Sequence, residues 1–288
     1  MQNKGMIQEE KWDLIVKPKS SWFEFNFKEI WRYRDLLFMF VKRDIVSTYK
    51  QTILGPLWFF IQPILTSLTF TIIFGNIANL STDEKPKFLF YLAGTTCWNY
   101  FSDCLNNTSS TFINNAGIFG KVYFPRLISP LSIVLSSILK FLIQFFLFSC
   151  VFIFMYFSDA NLQPNSLIFL VPFLIILMGL MGLSLGIIIS SFTTKYRDLR
   201  FLVGFGVQLF MYITPVILPL SEFKGIMGTV VKYNPMTPII ETFKAAFLGI
   251  PKEYDIYSLG YTTIFTVIVF CFAILIFNKV EKSFMDTV

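Results

Sequence analysis

The side chains able to do chemistry gather in two neighbouring stretches. Trp58 and Phe59 stand near the start of one long apolar run. Tyr91, Trp98 and Tyr100 stand in the next, beside Thr95, Thr96, Asn99, Ser102 and Asp103. Aromatic faces next to hydrogen-bonding groups suit a sugar, whose C–H faces are apolar while its hydroxyls need partners. The same residues also fit the ordinary aromatic belt of a membrane protein, and their spacing leaves both readings open. Nothing comparable points to bond breaking. Histidine, the commonest general base and metal ligand, is absent. Cys97, Cys104, Cys150 and Cys271 are scattered through apolar runs without CxxC spacing, and are expected to be buried thiols. The chain has no GxxxxGK[ST] loop, no HExxH and no GxSxG. Neither a catalytic nor a metal site is expected, and ATP would have to be bound elsewhere.

The elements that position these residues are membrane spans. Charged residues make up 15% of the 288 residues and hydrophobic ones 55%, with a mean hydropathy of +0.63. A soluble domain carries about 25% charged residues, so too little polar surface is present to coat a water-soluble globule. The net charge of +6 does not indicate nucleic acid, because the basic residues flank apolar runs. Runs of roughly 20 residues suffice to cross a bilayer. Six are expected, at about 53–78, 88–108, 128–157, 167–191, 201–218 and 256–278. Asp103 and Lys140 are the ionisable residues inside them, and such residues are functional candidates by default. Both fall in the inner halves of their spans, from which either side chain can reach the interface. Gly179, Gly182 and Gly186 form a small-residue pattern that lets helices approach closely, expected to pack within the subunit.

Ahead of the first span, residues 27–51 follow a helical pattern. Leu37, Val41 and Ile45 share one face, while Arg34, Lys42, Arg43 and Lys50 gather elsewhere. A helix lying in the membrane interface is expected. Residues 1–30 lack the compact apolar core of a signal peptide. With the N-terminus inside, 17 of the 24 Lys and Arg residues fall in inner segments and 6 in outer ones. The positive-inside rule then places both termini in the cytoplasm. Residues 1–52 form a cytoplasmic segment, 53–279 the membrane domain and 280–288 a cytoplasmic tail. The outer segment 219–255 is too apolar for a simple loop and divides into two short helices. Thr237 can cap the second with Pro238 at its first position, and Gly249 with Pro251 ends it. They read as re-entrant or interfacial elements.

VKRDIVSTYKQTILGPLWFFIQPILTSLTFTIIFG at 41–75 closely resembles the opening of the ABC-2 type polysaccharide exporter permeases, the membrane subunits of O-antigen and teichoic-acid transporters. NNAGIFGKVYFPRLISPLS at 114–132, KYRDLRFLV at 195–203, TPVILP at 214–219, YNPMTPIIETFK at 233–244 and FNKVEKSFMDTV at 277–288 are similar to later parts of that family, in order. The resemblance covers about residues 25–288. It implies an all-α bacterial inner-membrane protein that exports lipid-linked polysaccharide through a channel between two copies of the chain. It also implies two copies of a separate ATPase, which would bind ATP and Mg²⁺. On it, Trp58, Phe59, Tyr91, Trp98, Asn99 and Tyr100 are expected to line the channel. Asn107, Thr111, Asn115, Lys121, Tyr123 and Arg126 would belong to a coupling segment against the ATPase. Pro215, Pro219, Asn234, Pro235, Pro238 and Glu241 would belong to periplasmic gate helices. A teichoic-acid or small-molecule exporter is the neighbouring alternative. An integral-membrane enzyme acting on lipid-linked sugars is the remote one, and the lack of clustered carboxylates or histidines counts against it.

Overall fold

The computed structural model describes residues 27–50, 53–158, 162–194, 196, 198–249 and 254–283. Expectations about the 1–26 lead-in, Pro251 and the 284–288 tail lie outside the described residues. Within them the chain forms α1 (Phe27–Arg32), α2 (Arg34–Tyr49), α3 (Trp58–Phe70), α4 (Lys87–Ser109), α5 (Thr111–Phe119) and α6 (Ile128–Phe157). Then follow α7 (Val171–Thr193), α8 (Leu199–Met211), α9 (Gly225–Tyr233), α10 (Thr237–Leu248) and α11 (Tyr257–Ser283). No strand occurs among the described residues.

Four helical stretches are long and apolar enough to cross a membrane: Gly55–Ile77, Ile128–Phe157, Ser166–Thr193 and Tyr257–Val280. They correspond to expected spans one, three, four and six. The second expected span, α4, has the length at 23 residues but carries many polar side chains. The fifth, α8, has 13 residues. At a rise of about 1.5 Å per residue that is ~20 Å, short of a hydrocarbon core of ~30 Å. A turn-rich segment at 212–218 prolongs it, because Pro215 cannot supply the backbone N–H a helix would need there. The first stretch is not a uniform helix. It contains Pro63, and its last turns, Thr71–Ile77, wind as a π-helix.

The chain is built around α4, against which α3, α6, α7, α8 and α10 all pack. The closest approach is to α7, and the glycines explain it. A Cβ on Gly182 would stand 2.6 Å from the Cys104 Cβ, and one on Gly186 2.5 Å from the Thr108 Cβ. A Cβ on Gly179 would meet the Tyr100 hydroxyl at 2.5 Å. The small-residue pattern therefore works inside the subunit, as expected. Gly94 plays the same part on another face of α4, where the Val216 backbone passes 3.0 Å from the position of a Cβ.

A second apolar cluster closes one end of the bundle. The Phe40 ring from α2 meets Phe124 edge-on at 5.6 Å, and Phe112 from α5 stacks on Phe277 from α11 at 5.5 Å. The N-terminal helices and the end of α11 thus share one end of the bundle. Two expectations need correcting. The 27–51 helix is broken at Tyr33, whose backbone leaves the helical region with ψ of 21°. Cys97 and Cys104 are buried as expected, but Cys150 and Cys271 are exposed on the outer faces of α6 and α11.

Candidate functional site

Helix α4 carries two kinds of surface. On one side Tyr91, Trp98 and Tyr100 are at most 4% exposed, sealed in the apolar core. Trp98 packs against Phe101 and Phe210, and Tyr100 against Phe141. These three rings, which were expected to line a channel, lie buried inside the protomer. The reason is packing: α7 closes on α4 through its glycines, and the Phe210 ring of α8 packs on Trp98 and Phe101. Trp58 does reach the surface, and Phe59 is half-buried.

On the other side the polar residues line up. Asn99, Ser102, Asp103 and Asn106 are half-buried, and steps of three and four residues keep them on one face. The Asn99 amide donates to the Gln144 side chain of α6 at 3.4 Å, and the Asn106 amide to the Ser102 hydroxyl at 3.1 Å. Lys140 of α6 lies 3.8 Å from Asp103, and its ammonium stands 5.8 Å from the centre of the Phe59 ring. Residues of α3, α4 and α6 thus form one polar seam. Composition singled out Asn99, Ser102, Asp103 and Lys140. It missed Asn106 and Gln144, which a helical wheel of α4 and α6 together would have found.

The coupling candidates surround the end closed by the second cluster. Asn107, Lys121 and Tyr123 are exposed and Arg126 is half-buried. Thr111 and Asn115, however, are buried on the inner face of α5. The Asn115 amide donates back to the Thr111 carbonyl at 3.0 Å, while its oxygen accepts from Arg43 of α2 at 3.3 Å. The Tyr123 hydroxyl reaches Glu29 of α1 at 3.5 Å. The N-terminal helices and the α5 segment are therefore one assembly, which sequence separation alone did not reveal. Arg34, Lys42, Arg43 and Lys50 are exposed. Arg34 stands over Trp31, and Arg43 over Phe40 while paired with Asp44 at 2.8 Å.

At the opposite end, α9 and α10 are the two short helices expected between spans five and six. Pro215, Pro219, Asn234 and Pro238 are buried, and Pro235 and Glu241 half-buried. Pro238 sits in the first turn of α10 as expected, and Gly249 ends it at a φ of 114°. Thr237 does not cap it, because its hydroxyl donates to the Val231 carbonyl at 2.6 Å. Asn234 does more: its amide donates to the Ile213 carbonyl at 2.7 Å and its oxygen accepts from the Met236 N–H at 3.0 Å. Lys244, 5% exposed, donates to the Pro215 carbonyl and lies 3.3 Å from the centre of the Phe90 ring. Burial pushes its pKa down to about 7, against the opposing pull of the Glu241 carboxylate. This residue, which composition alone did not single out, ties the 212–218 segment to α10 and the start of α4.

Known proteins resemble most of this chain in sequence. The chain is 29% identical over 254 residues to the O-antigen export system permease protein RfbA of Klebsiella pneumoniae, covering 88% of this chain and 94% of that protein. It is 26% identical over 223 residues to the protein of the same description from Myxococcus xanthus, covering 76% of this chain and 83% of that one. The family model described as ABC-2 type transporter matches residues 35–248, from α2 to the end of α10. The chain belongs to the ABC-2 type transporter family.

Proposed function

We propose that this chain is the permease subunit of an ATP-driven exporter that carries lipid-linked polysaccharide of the O-antigen type across the bacterial inner membrane. The observation that carries the reading is the polar seam of Asn99, Ser102, Asp103 and Asn106, backed by Gln144 and Lys140. Half-exposed polar groups at membrane depth do not face lipid, where unsatisfied polarity costs several kcal/mol. They face water or protein. Two copies of the chain would enclose the seam as a hydrated path, along which amide, hydroxyl and charged groups exchange hydrogen bonds with glycan hydroxyls. No covalent step is needed, and the protein's work is to supply a polar surface and open it in time with the motor.

In this reading α3, α4, α6, α7, α8 with its 212–218 extension, and α11 are the six spans. The α1–α2–α5 end is cytoplasmic, with both termini there, and receives two copies of a separate ATPase that binds ATP and Mg²⁺. Asn107, Lys121 and Tyr123 are the exposed residues it would touch. Arg34, Lys42, Arg43 and Lys50 would meet the anionic headgroup layer of the inner leaflet. Helices α9 and α10 would close the far end. The names of the relatives support the substrate class, and the seam supports a hydrophilic cargo over an apolar drug. Purification of the tagged chain from its own host tests the assembly. An ATPase should co-purify in equal amount and lose its attachment on Lys121→Glu with Tyr123→Ala. Purification of the chain without any ATPase would oppose it.

A further inference from the structure

The end of the bundle remote from α2 holds a cleft of about 490 Å³, enclosed by the 81–85 turn, the 219–221 turn and α10. Pockets for small organic ligands run from roughly 300 to 1,000 Å³. The apolar part of its wall comes from Phe90, Pro219 and Leu248. Three carboxylates, Asp83, Glu84 and Glu241, and two ammonium groups, Lys85 and Lys244, share the rest with the Ser81, Thr82 and Ser221 hydroxyls.

The turn that presents the carboxylates is locked. Asp83 and Glu84 both adopt left-handed backbone, with φ of 52° and 61°, a conformation uncommon outside glycine. The Thr82 hydroxyl donates to the Lys85 carbonyl at 2.8 Å, and the Asp83 N–H to the Ser81 hydroxyl at 3.2 Å. Across the cleft the Ser221 hydroxyl donates to Asp83 at 3.0 Å. Backbone strain of this kind collects where a surface must hold a fixed shape for a ligand.

The chemistry of the lining selects the ligand. Three carboxylates against two ammonium groups give no positive excess to hold a phosphate or an acidic sugar. The carboxylates do not converge as a metal site, since no cluster of three acidic, Cys or His side chains able to hold a metal occurs among the described residues. A neutral polyol fits: its hydroxyls donate to carboxylates and accept from ammonium groups, and its C–H faces cover the apolar wall. We propose that this cleft binds a short neutral segment of glycan. Resting on the export reading, it holds the polymer as it leaves the far side of the membrane. Because Glu241 and Lys244 lie on α10, and Lys244 grips Pro215, occupancy acts directly on the helices that close that end.

The test uses the full chain in lipid nanodiscs. The probes are neutral oligosaccharides released by mild acid from the host's own surface polysaccharide, with inorganic phosphate as the anionic comparison. Saturation-transfer NMR should show contact with the sugar protons. Glu241→Gln, Asp83→Asn and Ser221→Ala should each weaken binding about tenfold or more, and Lys232→Ala, on the exposed face of α9, should leave it unchanged. Thermal unfolding of every variant separates lost binding from lost fold. No transfer to the wild-type chain, equal transfer to all three variants, or preference for phosphate would overturn the proposal. Surface polysaccharide in a deletion strain is read in parallel. Restored export without sugar contact at the cleft removes this site and leaves the export reading intact. Unchanged surface polysaccharide on deletion removes the export reading instead.

Discussion

Lys140 and Asp103 place opposite charges 3.8 Å apart between α6 and α4, and the pair is only partly covered, with side chains 23% and 41% exposed. In a soluble protein such a pair would contribute little. Within a membrane span each charge would otherwise have to be paired or reach water. The pair therefore reports where the protomer keeps a wet or protein-covered face.

Removing one partner should cost more than removing both. Lys140→Met or Asp103→Asn alone should lower stability by about 1–3 kcal/mol, between the figures for exposed and buried pairs. The double variant should recover part of that loss. A double-mutant cycle on thermal unfolding in nanodiscs measures it, and strictly additive losses would show that the two groups do not interact.

The α4–α7 contact should be intolerant of single methyl groups. Gly182→Ala and Gly186→Ala each place a Cβ about 3.0 Å from a backbone carbonyl of α4 as well as against a side chain. Overpacking of this kind costs about 1–3 kcal/mol. Gly206→Ala, with nothing within 4 Å of its Cβ in the protomer, should leave the yield of folded protein unchanged. Equal yields of all three variants would contradict the packing.

Much of this architecture was legible because it follows from hydropathy and residue size. The four apolar spans announce themselves by length, and the Gly179–Gly182–Gly186 pattern by spacing. The facing of α4 was not legible. Its aromatic and polar residues interleave in sequence, and only the neighbours that pack on each side decide that Trp98 and Tyr100 are core while Asn99 and Asp103 are not. The α2–α5 link through Arg43 and Asn115 spans 72 residues, and the Lys244–Pro215 grip spans 29. No local pattern encodes either.

The Arg43–Asn115 bond should carry motion between the N-terminal helices and the α5 segment. Asn115→Ala leaves a buried position without its amide and should cost about 1–2 kcal/mol. If the end acts as one body, it should also lower export several-fold at equal protein level. A variant that exports at the wild-type rate would show that the two segments move independently.

Lys244 should make stability rise with pH. Its pKa falls to about 7 in the fold, against about 10.4 for an unfolded lysine. Between those values the unfolded chain binds the extra proton, so stability increases as pH rises through that window. Below it the penalty is fully present. The unfolding temperature of wild type minus that of Lys244→Met should become more positive from pH 7 to pH 10. A constant difference would show that Lys244 stays charged throughout.

The account turns on the seam being the wall of a hydrated export path, and one measurement addresses that most directly. Surface polysaccharide is compared in a strain lacking this chain, complemented with wild type or with Asn99→Leu/Asn106→Leu. Both changes are made at half-buried positions on one face of α4. The account predicts that wild type restores the polysaccharide, while the apolar variant reaches the membrane at equal level and restores it at least tenfold less. Full restoration by the apolar variant would contradict it.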